Sequence, residues 1–140
     1  MSRTYIPAAL RREVAERAAG CCEYCKIPEV LTFASHEVDH VIAEKHGGAT
    51  VSENLALACV LCNQRKGSDI ASVDPATGKI ERLFNPRADR WGENFTLEEV
   101  QIAGRSAVGR TTVALLQLNG ERRLAERRLA IEAGLFEDDG

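Results

Sequence analysis

A small α+β domain is what this sequence predicts. Helix-like segments stand at both ends of the chain, short β-rich segments lie between them, and two C-x-x-C pairs bracket the β-rich part. At 140 residues and 15.3 kDa, there is room for one modest core, so residues 1–140 read as a single domain.

The elements follow in order. "PAALRREVAERAAG" (7–20) reads as a helix: Pro7 suits its first position, Leu10, Val14 and Ala18 fall four apart on one face, and Gly20 can end it. The first cysteine pair, "CEYC", comes next. "VLTFASHEVDHVI" (30–42) is rich in β-branched and aromatic residues, which predicts a strand around His36 to His40. "AEKHGGATVSE" (43–53) has two glycines and no apolar period, as a loop would. "NLALAC" (54–59) returns as a second strand, and "CNQRKGSDI" (62–70) starts a short helix at the second cysteine pair. Further on, "VDPATGKIERLF" (73–84) has the turn chemistry of a hairpin, and "NPRADRWGENF" (85–95) is irregular. "SAVGRTTVALLQLNG" (106–120) reads as a helix with Ser106 as its cap and Asn119-Gly120 as its stop. "ERRLAERRLAIEAG" (121–134) is a last helix whose Arg and Glu residues suggest a solvated face laced with i,i+4 pairs.

Cysteine usage carries the first chemical signal. Cys22 with Cys25 and Cys59 with Cys62 are two C-x-x-C pairs among five cysteines, with 33 residues between the pairs. In a reducing compartment four thiols so spaced read as a tetrahedral zinc site, stapling the start of the short helix to the earlier knuckle. Redox-active or buried free thiols are the competing explanation. Cys21 is left over and reads as a small buried residue.

Composition narrows the field of functions. The chain is 44% hydrophobic and 28% charged, with no apolar run near the ~20 residues of a membrane span, and its N-terminus lacks a signal-peptide core. A cytoplasmic location is the default expectation. A net charge of −3 is low for a nucleic-acid binder, although a local basic face can coexist with an acidic tail such as "FEDDG".

Taken in order, "CEYC", "DH" (39–40), "GG" (47–48), "NL" (54–55) and "CVLCNQRKG" (59–67) closely resemble the HNH endonuclease family, in the subgroup with a four-cysteine zinc. The motif is an HNN variant, with Asn63 where other members carry His. "LFNPRADRWGENF" and "GRTTVALLQLN" resemble the C-terminal extension of many small bacterial members, so nearly the whole chain is covered. The resemblance implies a ββα-metal (His-Me finger) core at about 20–70. It is flanked by an N-terminal helix and by a C-terminal hairpin plus helices at about 71–140.

The resemblance also assigns roles. It implies a metal-dependent endonuclease that hydrolyses DNA phosphodiester bonds and leaves 5′-phosphate and 3′-hydroxyl ends. His40 stands at the family's general base, a task imidazole can perform near neutral pH. Asp39 stands at the family's ligand for a catalytic divalent cation, and Asn63 would join it from the helix start. A carboxylate and an amide oxygen are hard donors, which favours Mg²⁺ or Mn²⁺. Neighbouring strand residues face opposite ways, so a strand end or bulge is expected at Asp39-His40. Asn54 would hydrogen-bond backbone across the loop and keep His40 aimed. Gly47 and Gly48 would allow positive φ or close passage of the DNA backbone.

Arg65 and Lys66 would meet phosphates, with a solvated helix face as the alternative. The expected substrate is DNA, gripped by its backbone and most simply double-stranded, with room for a protein partner or a homodimer. His36 shares strand parity with His40, and Glu37 shares it with Asp39 and could support the metal. His46 reads as an exposed loop residue, and Trp91 and Phe95 as core anchors. The rival from another class is a non-catalytic zinc-stapled nucleic-acid-binding module.

Overall fold

The computed structural model describes residues 5–137, so the first four residues and the end of the acidic tail lie outside it. Helix α1 (Ala8–Arg17) begins one residue later than the motif reading, with Pro7 as its N-cap. Val14 of α1 is fully buried and packs with Ile6, Leu55 and Leu57, with Leu10, Ala18 and Val38 around them. Ala19 and Gly20 both take positive φ and turn the chain into the first knuckle.

Strands β1 (Glu37–His40) and β2 (Leu55–Ala58) form an antiparallel hairpin in one-to-one register, Asp39 opposite Ala56 and His40 opposite Leu55. Alternation gives the hairpin two faces. Val38, His40, Leu55 and Leu57 look toward α1, and Glu37, Asp39, Ala56 and Ala58 look the other way. There the alanines leave room for α2 (Val60–Lys66). The Cys59 sulfur N-caps α2 by accepting from the Cys62 N–H, so the second knuckle and the helix start are one structure.

The C-terminal extension wraps this ββα unit. The expected hairpin is β3 (Ala71–Val73) with β4 (Ile80–Arg82). The segment read as irregular holds a short helix, α3 (Trp91–Asn94), and runs straight into a second hairpin, β5 (Phe95–Glu98) with β6 (Gln101–Gly104). Glu99 makes the tight turn of that hairpin with φ +57, and no glycine or asparagine marks it. Helix α4 (Ala107–Leu116) starts on the expected Ser106 cap, whose hydroxyl accepts from the Gly109 N–H, and stops early where Gln117 turns left-handed. Helix α5 (Glu121–Glu132) closes the fold.

Aromatic side chains join the extension to the first knuckle. Tyr24, Phe84, Phe95 and Trp91 are all buried and meet edge-on or tilted, with Phe84–Phe95 and Trp91–Phe95 centroids 5.1 Å apart. The Trp91 indole donates to the Tyr24 carbonyl at 2.9 Å, and Arg87 pairs with Glu23. Trp91 and Phe95 are therefore core residues.

Candidate active site and metal centre

The two knuckles converge. The sulfurs of Cys22, Cys25, Cys59 and Cys62 lie within 4.8 Å of one another and all four residues are buried. Among the described residues this is the one group of three or more His, Cys, Asp or Glu side chains close enough to share a metal ion. Each knuckle folds an amide onto its leading sulfur: Cys25 N–H on Cys22 and Cys62 N–H on Cys59. Such N–H donors stabilise thiolates, so the donor set fits a closed tetrahedral zinc site. Cys21 stands apart, half-buried, its thiol directed at the Ala19 carbonyl.

Helix α5 reaches this centre in a way that charge patterning does not reveal. Arg123 and Arg127 are buried, contrary to the solvated face expected of them. Both terminal nitrogens of Arg123 lie 3.4 Å from the Cys62 sulfur, and one also donates to the Leu116 carbonyl at 3.0 Å. Arg127 donates to the carbonyls of Leu118 and Val100 and to Asn119 Oδ1. The two arginines thus satisfy acceptors left open where α4 ends, which explains their burial. Burial disfavours the Arg123 charge, but the sulfurs of Cys62, Cys25 and Cys59 more than offset it and hold the guanidinium firmly protonated. The one i,i+4 ion pair on α5 among the described residues is Arg122–Glu126 at 3.7 Å.

Asp39 and His40 occupy the end of β1 without a bulge, so their side chains leave opposite faces of a regular hairpin. Each is nearly closed off from solvent, at 4% and 7% exposure. His40 Nε2 is 2.9 Å from the Thr50 hydroxyl, which holds the ring against the loop. Asn54 braces the same loop at three points. Its Oδ1 accepts from the Ile42 N–H at 3.0 Å, and its Nδ2 donates to the carbonyls of Ile42 and Ala49, both at 2.9 Å.

The two glycines serve the loop differently. Gly47 takes φ +92. Gly48 packs on the protein's own backbone: a Cβ there would sit 1.7 Å from the Ile42 carbonyl oxygen and 2.8 Å from Asn54 Nδ2. It is needed for the brace itself, with no DNA required to explain it.

On the other face, β1 and α2 are joined by two rungs. Asn63 Nδ2 donates to Glu37 Oε1 at 2.6 Å, and one helical turn on, Lys66 Nζ lies 3.2 Å from Asp39 Oδ2. Lys66 also donates to the His40 carbonyl at 3.1 Å, and the Tyr24 hydroxyl donates to Asp39 Oδ2 at 2.8 Å. Lys66 is only 2% exposed, so its expected contact with phosphate is corrected here. The buried Asp39 carboxylate needs a countercharge and takes this one. Arg65, by contrast, is exposed.

Burial pushes the Asp39 carboxyl above the ordinary carboxylate range, although Lys66 and Tyr24 pull it down. Burial, reinforced by the Asp39 charge, raises the Tyr24 phenol, so it stays a donor. Asp39 and Asn63 share this face, but their hydrogen-bond partners are different residues. Glu37, expected only to support the metal, supplies the oxygen that Asn63 meets.

The remaining histidines sit outside this arrangement. His36 is buried with Nε2 at 2.9 Å from the Ile27 carbonyl, and its Nδ1 has no hydrogen-bond partner. His46 is exposed and bonds the Ser68 carbonyl at 3.1 Å. No helix among the described residues is long and apolar enough to cross a membrane.

Comparison with known proteins agrees with this geometry. Residues 22–69, which hold both knuckles, the β1–β2 hairpin and α2, match the family described as HNH endonuclease. Over 91 residues the chain is 31% identical to the CRISPR-associated endonuclease Cas9 of Corynebacterium diphtheriae, covering 64% of this chain and 6% of that protein. Over 131 residues it is 28% identical to the Septu protein PtuB of Bacillus thuringiensis, covering 92% of this chain and 47% of that protein. The chain therefore spans less than half the length of either of these relatives. No solved structure matches it.

Proposed function

We propose, from the premise that residues 22–69 are an HNH endonuclease domain, that this chain hydrolyses DNA phosphodiester bonds with His40 as the general base. The observation that carries the reading is the braced loop: Asn54 ties Ile42 to Ala49, and Thr50 meets the His40 ring. A general base must be oriented as well as basic. With Nε2–H donated to the Thr50 hydroxyl, Nδ1 keeps the lone pair, and His40 takes a proton from the attacking water there. The water oxygen bonds to phosphorus, the bond between phosphorus and the 3′ oxygen breaks, and that oxygen takes a proton from solvent, leaving 5′-phosphate and 3′-hydroxyl ends.

A hard divalent cation, Mg²⁺ or Mn²⁺, would supply charge stabilisation at the phosphate and the departing oxygen. Asp39 and Asn63 are the residues that would hold it, and the Glu37 carboxylate on the same strand face adds a third oxygen donor to the set. Lys66 and Tyr24 keep Asp39 turned toward α2. Arg65, exposed beside them, is the proposed backbone contact. Duplex DNA is the proposed substrate, and the extension offers surface for a protein partner or a second copy.

One observation favours a second reading. Both Asp39 oxygens already have donors in Tyr24 and Lys66, as they would in a nucleic-acid-binding module that needs no catalytic ion. The chemistry of the products separates the two. A singly nicked duplex made by this protein should be resealed by DNA ligase without prior phosphorylation. No cleavage at all would count against the nuclease reading, and ends that require a kinase would count against the 3′ oxygen as the leaving group.

A further inference from the structure

We propose that Arg123 of the C-terminal helix is an outer-sphere residue of the zinc–thiolate centre, so that docking of α5 is conditional on the loaded thiolates. This rests on the fit of the four cysteines to zinc and is independent of the nuclease reading. Arg123 lies well outside the matched family segment, 22–69.

The composition of the α5 interface points to its buried arginines, rather than apolar packing, as what holds it. Its buried residues are Arg123, Arg127 and Ala130, whereas Leu129 and Ile131 are 55% and 37% exposed. A helix docked by apolar packing would show the reverse. Both terminal nitrogens of Arg123 lie 3.4 Å from the one sulfur of Cys62, and one of them also donates to the Leu116 carbonyl at 3.0 Å.

Four thiolates around Zn²⁺ carry a net charge of −2, which is costly in an interior unless countered. Arg123 in contact and Arg127 one turn behind, 6% and 2% exposed, supply two positive charges from one helix. With the metal gone, the sulfurs are no longer held together as one anionic centre, and the same two buried guanidinium groups lose that counter-charge. They then favour release of α5 into water. Conversely, N–H donors on a ligating sulfur draw electron density from it and stabilise its negative charge, which slows loss of the ion. Outer-shell partners of this kind are worth about 10–100-fold in metal affinity.

The test uses the full chain loaded with zinc and a chromogenic chelator as competitor. Arg123→Met should weaken zinc affinity about 10–100-fold, Arg123→Lys should fall between it and wild type, and Arg122→Met, a change at an exposed neighbour, should match wild type. With Co²⁺ in place of zinc, the thiolate-to-metal charge-transfer band should move to lower energy in Arg123→Met, because the Cys62 sulfur is then the better electron donor. A purely structural arginine would leave that band in place. Should Arg123→Met fail to fold, Arg123→Lys and hydrogen exchange on the wild type decide. Zinc removal should strip protection from residues 121–132 ahead of α4. Unchanged zinc affinity with an unshifted cobalt band would overturn the proposal, as would an α5 that stays protected in the zinc-free protein.

Discussion

Replacing Asn54 isolates the brace from the chemistry it is proposed to serve. The side chain makes three hydrogen bonds to loop backbone, with the Ile42 N–H, the Ile42 carbonyl and the Ala49 carbonyl. At roughly 1 kcal/mol each, and with Ile42 only partly reachable by water, Asn54→Ala should cost about 2–3 kcal/mol of folding stability. Asn54→Asp is the more telling change. It keeps the acceptor for Ile42 N–H but sets a carboxylate oxygen where Nδ2 stood, 2.9 Å from two carbonyl oxygens. It should therefore be less stable than the alanine variant by about 1 kcal/mol, although it differs from asparagine by a single group.

Urea unfolding would read the stability, and hydrogen exchange at the Ile42 amide would read the loop locally. Cleavage should fall about hundredfold in either variant, the effect of misplacing a catalytic group by ~1 Å. The reasoning fails if Asn54→Asp is as stable as wild type, or if Ile42 exchange is unchanged in Asn54→Ala.

Two further perturbations address other parts of the structure. Lys66→Met leaves the buried Asp39 without its countercharge and should cost about 3–5 kcal/mol. Adding Asp39→Asn should recover part of that loss, whereas strict additivity in the double-mutant cycle would show that the pair does not form in solution. In the extension, Asp74 is held down to about 2 by its hydrogen bonds from Arg110 and, next, from the Ala76 N–H. Its unfolded value is about 3.9, so this stabilisation is fully present above pH ~4 and is lost as pH falls through 2. The Tm advantage of wild type over Asp74→Asn should narrow across that window. A constant difference down to pH 2 would exclude Asp74 as an acid-sensitive contact.

What could be read from sequence, and what could not, divides by the range of the interactions. The four-cysteine cluster was legible because a knuckle is a local device: C-x-x-C brings two sulfurs together within four residues, and two such pairs imply a closed site. The β1–β2 hairpin was legible for a similar reason, since residues 30–42 are locally rich in β-branched and aromatic side chains. The β5–β6 hairpin was not. Its turn hangs on Glu99 in a left-handed conformation, held there by the Leu97–Ile102 pairing rather than by a turn-forming residue.

Lys66 and the arginines of α5 were misjudged because their partners are distant in sequence. Asp39 lies 27 residues from Lys66 and Cys62 lies 61 residues from Arg123. A basic residue on a helix looks solvated until the buried acceptor it answers is known. Around His40 the legible part was the identity of the residues. Which oxygen or nitrogen each one faces depended on strand parity, and parity sends Asp39 and His40 to opposite faces of β1.

Cleavage of supercoiled plasmid distinguishes a His40-dependent nuclease from a binding module. Wild type and His40→Ala would be incubated with Mg²⁺ or Mn²⁺, with EDTA as a control. Metal-dependent nicking or linearisation that is absent in a folded, zinc-loaded His40→Ala protein is the predicted result. Equal cleavage by both proteins, or an intact plasmid with wild type in either metal, would contradict it.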